Sequence, residues 1–92
     1  DIVFHVAEKP KKPKSNLVIL PIYILKPDIF KALEKTSLGH NNELQVTDAI
    51  STLMDWNHKI TAYNFRNNKW FDIGTTRQYF YALNYSFKMA IK

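Results

Sequence analysis

The 92 residues include 46% hydrophobic residues, which can form one core and hardly two, so residues 1–92 are expected to form a single unit. The sequence contains no cysteine, which excludes disulfides, thiolate chemistry and cysteine-ligated zinc, and suits a reducing, cytoplasmic location. The longest apolar run, Leu17 to Leu25, contains Pro21 and is too short to span a bilayer.

The 13 basic and 8 acidic residues give a formal net charge of +5, and part of the excess lies in the run Lys9-Pro-Lys-Lys-Pro-Lys14. Such a run can bind nucleic acid or a membrane surface, but with interspersed prolines it is more typical of a solvated loop. We therefore expect neither a nucleic-acid nor a membrane partner. The sequence begins at Asp1 without a methionine, which suggests a fragment, although a processed or engineered start would look the same.

Two apolar segments near the N-terminus predict β-strands. Residues 2–7 are rich in β-branched and apolar side chains, and Pro10 follows where a strand would end. Residues 16–25 are apolar on both faces, as in an interior strand. Pro21 removes one ladder donor from that strand and suggests a bulge.

Two amphipathic helices are predicted next. Asp28 is a plausible cap for the first helix. Its predicted inward residues are Ile29, Phe30 and Leu33. The second helix is predicted to open at Thr47 and Asp48, with a buried stripe at helical spacing formed by Ile50, Leu53, Met54 and Trp56.

The C-terminal part predicts a hairpin followed by a third helix. Residues 59–65 and 69–72 are the expected paired strands, joined by a turn at 66–68. The helix is expected from about Thr76 to Ile91, and its many aromatic side chains suggest packing against a missing partner or a broad face against the chain's own sheet. The expected fold class is α/β, with a small mixed sheet and about three helices.

Asp72 is the one acid at the junction between the last predicted strand and the last helix. Gly74 can adopt the positive φ that such a corner often needs, and Thr75 or Thr76 can cap the helix. A carboxylate beside a helix N-terminus is well placed to hold a cation or face a phosphate. The alternative is that Asp72 is only a local turn or cap residue. The three histidines lie far apart and no Gly-rich loop is present, so no self-contained active site emerges.

Four stretches, in their order and spacing, resemble the C-terminal half of the sugar-1-phosphate nucleotidyltransferases, the glucose-1-phosphate thymidylyl- and uridylyltransferase group. These stretches are Val6-Ala-Glu-Lys-Pro10, Ser15-Asn16 with the apolar strand that contains Tyr23, Glu43-Leu-Gln-Val-Thr-Asp-Ala-Ile50, and Trp70-Phe-Asp-Ile-Gly-Thr75. Each motif is weak alone, but the ordered set is specific. The resemblance covers essentially the whole chain and implies the C-terminal part of a larger Rossmann-like fold.

The resemblance also implies a reaction, a cofactor and a set of site residues. In this family a sugar 1-phosphate and a nucleoside triphosphate give a nucleotide sugar and pyrophosphate, with Mg²⁺ as cofactor. The glutamate of Glu-Lys-Pro binds sugar hydroxyls and the lysine holds the sugar phosphate, which implies these roles for Glu8 and Lys9. The aspartate of Trp-x-Asp-x-Gly-Thr is a magnesium ligand, which implies Asp72. The strand after Asn16 lines the sugar pocket, which makes Ile19 a candidate wall residue.

The sequence departs from the family pattern in two respects. Pro21 stands where members often carry glycine, which puts the pocket shape and the sugar preference in doubt. The family's N-terminal half, with its Gly-rich nucleotide loop and other magnesium aspartate, has no counterpart here, so we expect the chain to be inactive alone. Thr47 and Asp48 match a motif near the site and are interpreted as helix-capping and supporting residues.

Two rival hypotheses come from other functional classes. The first is a binding or assembly module that retains the scaffold without the chemistry. The second is a basic nucleic-acid-binding domain, which rests on the lysine run from Lys9 to Lys14 and predicts a salt-dependent affinity. The predicted strand edges and apolar faces also indicate a homo-oligomer.

Overall fold

The computed structural model describes residues 1–91 and contains three α-helices in that range. Helix α1 is Asp28–Lys35, α2 is Val46–Asp55 and α3 is Thr76–Ala90. A 3₁₀ turn, His40–Asn42, lies between α1 and α2. The predicted number of helices is therefore confirmed.

The predicted mixed sheet is wrong for residues 1–91, which form helices, turns and irregular segments and contain no β-strand. The only bridge described in this range is antiparallel and joins Ile2 to Thr61. Backbone hydrogen bonds on either side of it run from Val3 N–H to the Ile60 carbonyl (2.9 Å) and from Ala62 N–H to the Asp1 carbonyl (2.8 Å). The physical reason for the error is that β-branched and apolar composition reports suitability for a sheet surface, whereas a strand also requires a hydrogen-bonding neighbour.

The remaining predicted strands are also absent from the described residues. Residues 16–25 are irregular and mostly exposed, and residues 69–72 do not pair with 59–65 in the described part of the chain. The turn between the latter two segments does form, because Asn68 N–H donates to the Phe65 carbonyl at 3.2 Å. The hairpin prediction was therefore right about the turn and wrong about the pairing.

The core lies between α1 and α2, the only helix pair in contact within residues 1–91. Its buried apolar residues are Ile29, Ala32, Ala49, Ile50 and Leu53. Partly buried Val6, Leu25, Leu33 and Ile60 pack against this cluster. Thr36, which follows α1, and Thr52 of α2 share a hydrogen bond of 3.2 Å that links the two helices beside the core.

The predicted inward faces of α1 and α2 need correction at particular residues. Phe30 and Trp56 were expected inside but are 68% and 42% exposed, whereas Ala32 and Ala49 are fully buried. A small side chain at each of these two positions lets the helix backbones approach closely, which leaves no room for a large ring at the contact. Asp28 is also not a cap, because the α1 N-cap position is occupied by Pro27; its carboxylate instead lies 3.9 Å from the Lys31 ammonium.

Helix α2 ends in a Schellman motif. Asn57 adopts a left-handed φ of 63° directly after the helix. Its N–H donates to the Met54 carbonyl at 2.9 Å, and the His58 N–H donates to the Leu53 carbonyl at 3.0 Å. These two bonds satisfy carbonyls that a helix end otherwise leaves unpaired, and asparagine is the residue other than glycine that is most often used there. The motif reverses the chain so that Ile60 returns to the core.

Helix α3 contributes no buried residue, although it is the longest helix. Tyr79, Leu83 and Phe87 share one face of the helix at a spacing of four residues, and they are 57%, 55% and 61% exposed. Its described aromatic contact to the preceding segment is Phe71 with Tyr85, whose ring centroids lie 5.0 Å apart. The helix therefore presents a broad apolar surface that the described residues leave open.

The exposed surface is large for the size of the chain. The Cα radius of gyration is 16.4 Å, against about 12 Å for a compact domain of this length. The accessible surface is 8377 Å², against about 5,500 Å² for a compact monomer of this mass. Within the described residues, no helix has both the length and the apolar character required to cross a membrane.

Candidate functional site

A hydrogen bond between Thr47 and Glu8 joins two of the sequence motifs. The Thr47 hydroxyl donates to Glu8 Oε2 at 2.9 Å, although the two residues are 39 positions apart in sequence. Thr47 is 4% exposed and Glu8 is half-buried. Because the acceptor is a carboxylate and the donor is shielded from water, this bond is stronger than a typical surface hydrogen bond.

The segment around Glu8 contacts one side of α2. Besides the Thr47 bond, Ser51 Oγ makes a long hydrogen bond of 3.5 Å to the Val6 carbonyl. Thr47 and Ser51 are one helical turn apart, a rise of about 6 Å, so their hydroxyls lie on the same side of the helix. These two contacts hold the segment that carries Glu8 against α2.

Lys9 follows Glu8 at a bend in the chain and is exposed. Its φ is 42°, in the left-handed region that non-glycine residues rarely occupy, and it precedes Pro10, which normally favours an extended conformation. A non-glycine backbone in such a region costs roughly 1–3 kcal/mol, and such residues cluster at functional sites as well as in turns. The strain and the adjacent carboxylate together mark residues 8–9 as the strongest candidate site in the described chain.

The first turn of α2 carries the other acid near this site. Asp48 lies beside Gly39, where an added Cβ would overlap the Asp48 carboxylate. The sequence interpretation of Thr47 and Asp48 as caps is wrong, because the N-cap of α2 is Gln45 and no side chain caps it. Thr47 instead supports Glu8, which matches the other half of that interpretation.

Glu8, Lys9 and Ile19 line one large open groove of about 2190 Å³. Ile19 is 45% exposed, and the groove is bordered mainly by residues 1–28 and 58–70. A pocket for a small ligand typically has a volume of roughly 300–1,000 Å³. The volume of the groove therefore exceeds that of a typical small-ligand pocket, and Ile19 is one of the residues that line it.

Asp72 lies apart from the other candidate residues and does not line the groove. Its side chain is exposed, three residues before the N-cap of α3. Thr75 is that N-cap, as one of the two predicted alternatives stated: its Oγ1 accepts from Gln78 N–H at 3.2 Å. Gln78 Oε1 in turn accepts from Gly74 N–H at 2.8 Å. Gly74 does not take the positive φ expected of it.

The metal-binding capacity of the described residues is limited. Within residues 1–91 no group of three or more histidine, aspartate or glutamate side chains is placed to hold a metal ion. Magnesium sites commonly use one or two carboxylates, with waters and substrate phosphates completing the octahedron. Asp72, as a single exposed carboxylate, fits the role of one such ligand and cannot form a site alone.

Sequence reasoning missed two features that organise this region. Ser51 carried no signal, because a serine on a helix face is usually solvated. The left-handed residue after α2 could have been found from Asn57, since asparagine directly after a helical pattern is a known end signal.

Comparisons with known proteins agree on one family. A family profile described as "Nucleotidyl transferase" matches residues 1–88. The chain is 36% identical over 97 residues to a UTP--glucose-1-phosphate uridylyltransferase of Pseudomonas aeruginosa, covering 100% of this chain and 34% of that protein. It is 46% identical over 67 residues to the Mycoplasma genitalium protein of the same name, covering 73% of this chain and 22% of that protein.

A third relative carries a second activity in its name. It is a bifunctional sugar-1-phosphate nucleotidylyltransferase/acetyltransferase of Sulfurisphaera tokodaii, 42% identical over 69 residues, covering 75% of this chain and 17% of that protein. The chain spans about a third or less of the length of these curated relatives. No solved structure shows significant similarity to it.

Proposed function

The chain belongs to the nucleotidyl transferase family, and we propose that it supplies the sugar-phosphate side of the active site of a sugar-1-phosphate nucleotidyltransferase. The observation that carries the proposal is the hydrogen bond from Thr47 to Glu8. It brings together the Glu-Lys-Pro motif and the helix-opening Thr-Asp motif, which the sequence separates by a loop and a helix. Two distant motifs that meet in space support a common site.

The proposed reaction joins a nucleoside triphosphate to a sugar 1-phosphate. An oxygen of the sugar phosphate attacks the α-phosphorus, the bond between the α-phosphorus and the bridging oxygen breaks, and pyrophosphate leaves. The names of the relatives favour UTP and glucose 1-phosphate as the substrate pair. Thymidine triphosphate is the alternative nucleotide.

Each candidate residue has a role that its chemistry and exposure allow. The Glu8 carboxylate accepts hydrogen bonds from sugar hydroxyls, and the exposed Lys9 ammonium is a compact counter-charge for the sugar phosphate. Ile19 forms an apolar part of the groove wall against the sugar ring. Asp72 supplies one oxygen ligand for Mg²⁺, which when bound neutralises charge on the phosphates.

The 92 residues lack a nucleotide-binding loop of their own. Their only glycines are Gly39 and Gly74, so the sequence has no Gly-rich loop to cradle a triphosphate. Catalysis therefore needs residues beyond these 92, and a purified 92-residue chain is expected to form no nucleotide sugar. Measurable turnover by this chain alone would contradict the division into two half-sites.

A chimaeric enzyme tests the proposed function. The matched residues of the Pseudomonas aeruginosa relative are replaced by this chain, and formation of UDP-glucose is followed with Lys9→Ala and Lys11→Ala. Both variants remove one exposed lysine from the same loop, but Lys9 lines the groove and Lys11 does not. Lys9→Ala should raise KM for glucose 1-phosphate at least tenfold with little change in KM for UTP, whereas Lys11→Ala should leave both constants unchanged.

Equal effects of the two lysine variants would contradict the role of Lys9. If the chimaera does not fold, the same pair is compared by titrating glucose 1-phosphate into the 92-residue chain and following amide shifts by NMR. A non-catalytic assembly module remains the second candidate, because the open apolar surface of α3 suits docking. That candidate predicts an inactive chimaera and no binding of glucose 1-phosphate.

A further inference from the structure

The position of Glu8 depends on a group outside its own motif. Glu8 lies at a bend outside the helices, and within residues 1–91 its carboxylate accepts one hydrogen bond, from the Thr47 hydroxyl to Oε2. A glutamate side chain has three rotatable bonds, so without a fixed partner its carboxylate would sample several positions. The Thr47 hydroxyl is held on a helix and shielded from solvent, which makes it a rigid anchor for this flexible acid.

We propose that Thr47 is a positioning residue for sugar recognition: its hydroxyl holds Oε2 of Glu8 so that Oε1 is presented to the sugar hydroxyls. The inference rests on the proposed function, since it assumes that Glu8 binds the sugar. It adds a specificity-determining residue that touches no substrate itself. Because Oε1 accepts no hydrogen bond from the described residues, it keeps its full capacity to accept from a ligand.

The surroundings of Thr47 support a dedicated role for its hydroxyl. In the first turn of α2 the backbone N–H groups lack helical partners, and the N-cap residue Gln45 provides no side-chain acceptor. The Thr47 hydroxyl takes no part in capping this helix end, and its hydrogen bond among the described residues goes to Glu8.

The same helix provides a matched control. Thr52 is also a partly shielded threonine of α2, but its hydroxyl bonds to the Asp48 carbonyl at 3.2 Å and to Thr36. Thr47→Val and Thr52→Val thus make the same chemical change on one helix. They differ in that only Thr47 reaches Glu8, so a difference between them reports the contact with the carboxylate and not general damage to α2.

The test compares two ligands that share a phosphate and differ in hydroxyls. Glucose 1-phosphate and methyl phosphate are titrated separately into the 92-residue chain, and Kd is obtained from NMR shifts for the wild type and each variant. Thr47→Val should weaken glucose 1-phosphate binding about tenfold, as expected for the loss of one charge-assisted hydrogen bond, and leave methyl phosphate unchanged. Thr47→Ser, which keeps the hydroxyl, and Thr52→Val should both behave like the wild type.

The remaining outcomes separate the inference from the proposed function. If Glu8→Gln weakens binding of glucose 1-phosphate and Thr47→Val does not, the positioning role is overturned and the proposed function stands. If the wild-type chain shows no preference for glucose 1-phosphate over methyl phosphate, the role of Glu8 in sugar binding is overturned together with the inference. If circular dichroism shows that Thr47→Val is unfolded, Thr47→Ala replaces it, and the same loss of glucose 1-phosphate binding is expected of the alanine variant.

Discussion

The small core between α1 and α2 predicts which apolar side chains hold the chain together. Leu53 is 4% exposed and lies in the buried cluster, whereas Phe30 on the neighbouring helix is 68% exposed. Burying a large aliphatic side chain contributes roughly 1.5–3 kcal/mol, so Ile29, Ile50 and Leu53 together supply roughly 5–9 kcal/mol. Few other buried contacts exist among the described residues to compensate for the loss of one of them.

Leu53→Ala should therefore lower the free energy of unfolding by about 2–5 kcal/mol, from lost burial and the cavity left behind. For a chain of this length that corresponds to a decrease in Tm of at least about 10 °C, or to loss of the cooperative transition. Phe30→Ala removes a larger side chain but should change the stability by only about 0.5 kcal/mol, as an exposed substitution does. Urea and thermal unfolding, followed by circular dichroism of the helices, measure both variants.

The relative stability of Leu53→Ala and Phe30→Ala distinguishes the observed core from the core that helical periodicity predicts. A core with Phe30 inside would make Phe30→Ala at least as damaging as Leu53→Ala. That result would refute the placement of α1 against α2 through Ala32 and Ala49, because the close approach of the two helices leaves no space for the ring.

Three further predictions concern the caps, the surface and the metal. Thr75→Ala removes the acceptor for Gln78 N–H and should destabilise α3 by about 1 kcal/mol, visible as a loss of helical signal on heating, with Thr75→Ser as the control that retains it. The open apolar surface should make the 92-residue chain self-associate at high micromolar concentration; a strictly monomeric profile in analytical ultracentrifugation would count against this. In the active chimaera, Asp72→Asn should lower kcat by roughly 10²- to 10³-fold and raise the magnesium requirement. Near-normal turnover at unchanged magnesium dependence would leave Asp72 a turn residue.

The helices were predictable from sequence because their signals are local. The apolar spacing in 46–55 and the Thr75 cap are contained within one or two turns, so nothing distant has to be known. The inward faces were less predictable. Periodicity favours the large Phe30, whereas the close contact of α1 and α2 depends on alanines that carry little hydrophobic signal.

The sheet could not be judged from composition, because strand formation depends on neighbours. Residues 16–25 have the composition of an interior strand, yet the described chain gives them no neighbouring strand to pair with. For the candidate site, the family resemblance indicated Glu8 and Lys9; the structure places Glu8 half-buried and Lys9 exposed at a bend, and their roles stay predictions. The Thr47 contact needed the structure, since it joins residues 39 positions apart.

The two contacts between α2 and the segment that carries Glu8 have a consequence for how this region tolerates changes in length. Inserting or deleting one residue between Val6 and Glu8 would shift the acid relative to the Val6 carbonyl, so that Thr47 and Ser51 could not keep both hydrogen bonds. A length change in the exposed loop at 10–16 would leave the two anchoring contacts in register. In a library of single-residue insertions, few insertions at positions 7–8 should therefore retain sugar-phosphate binding, whereas insertions in the loop at 10–16 should commonly retain it.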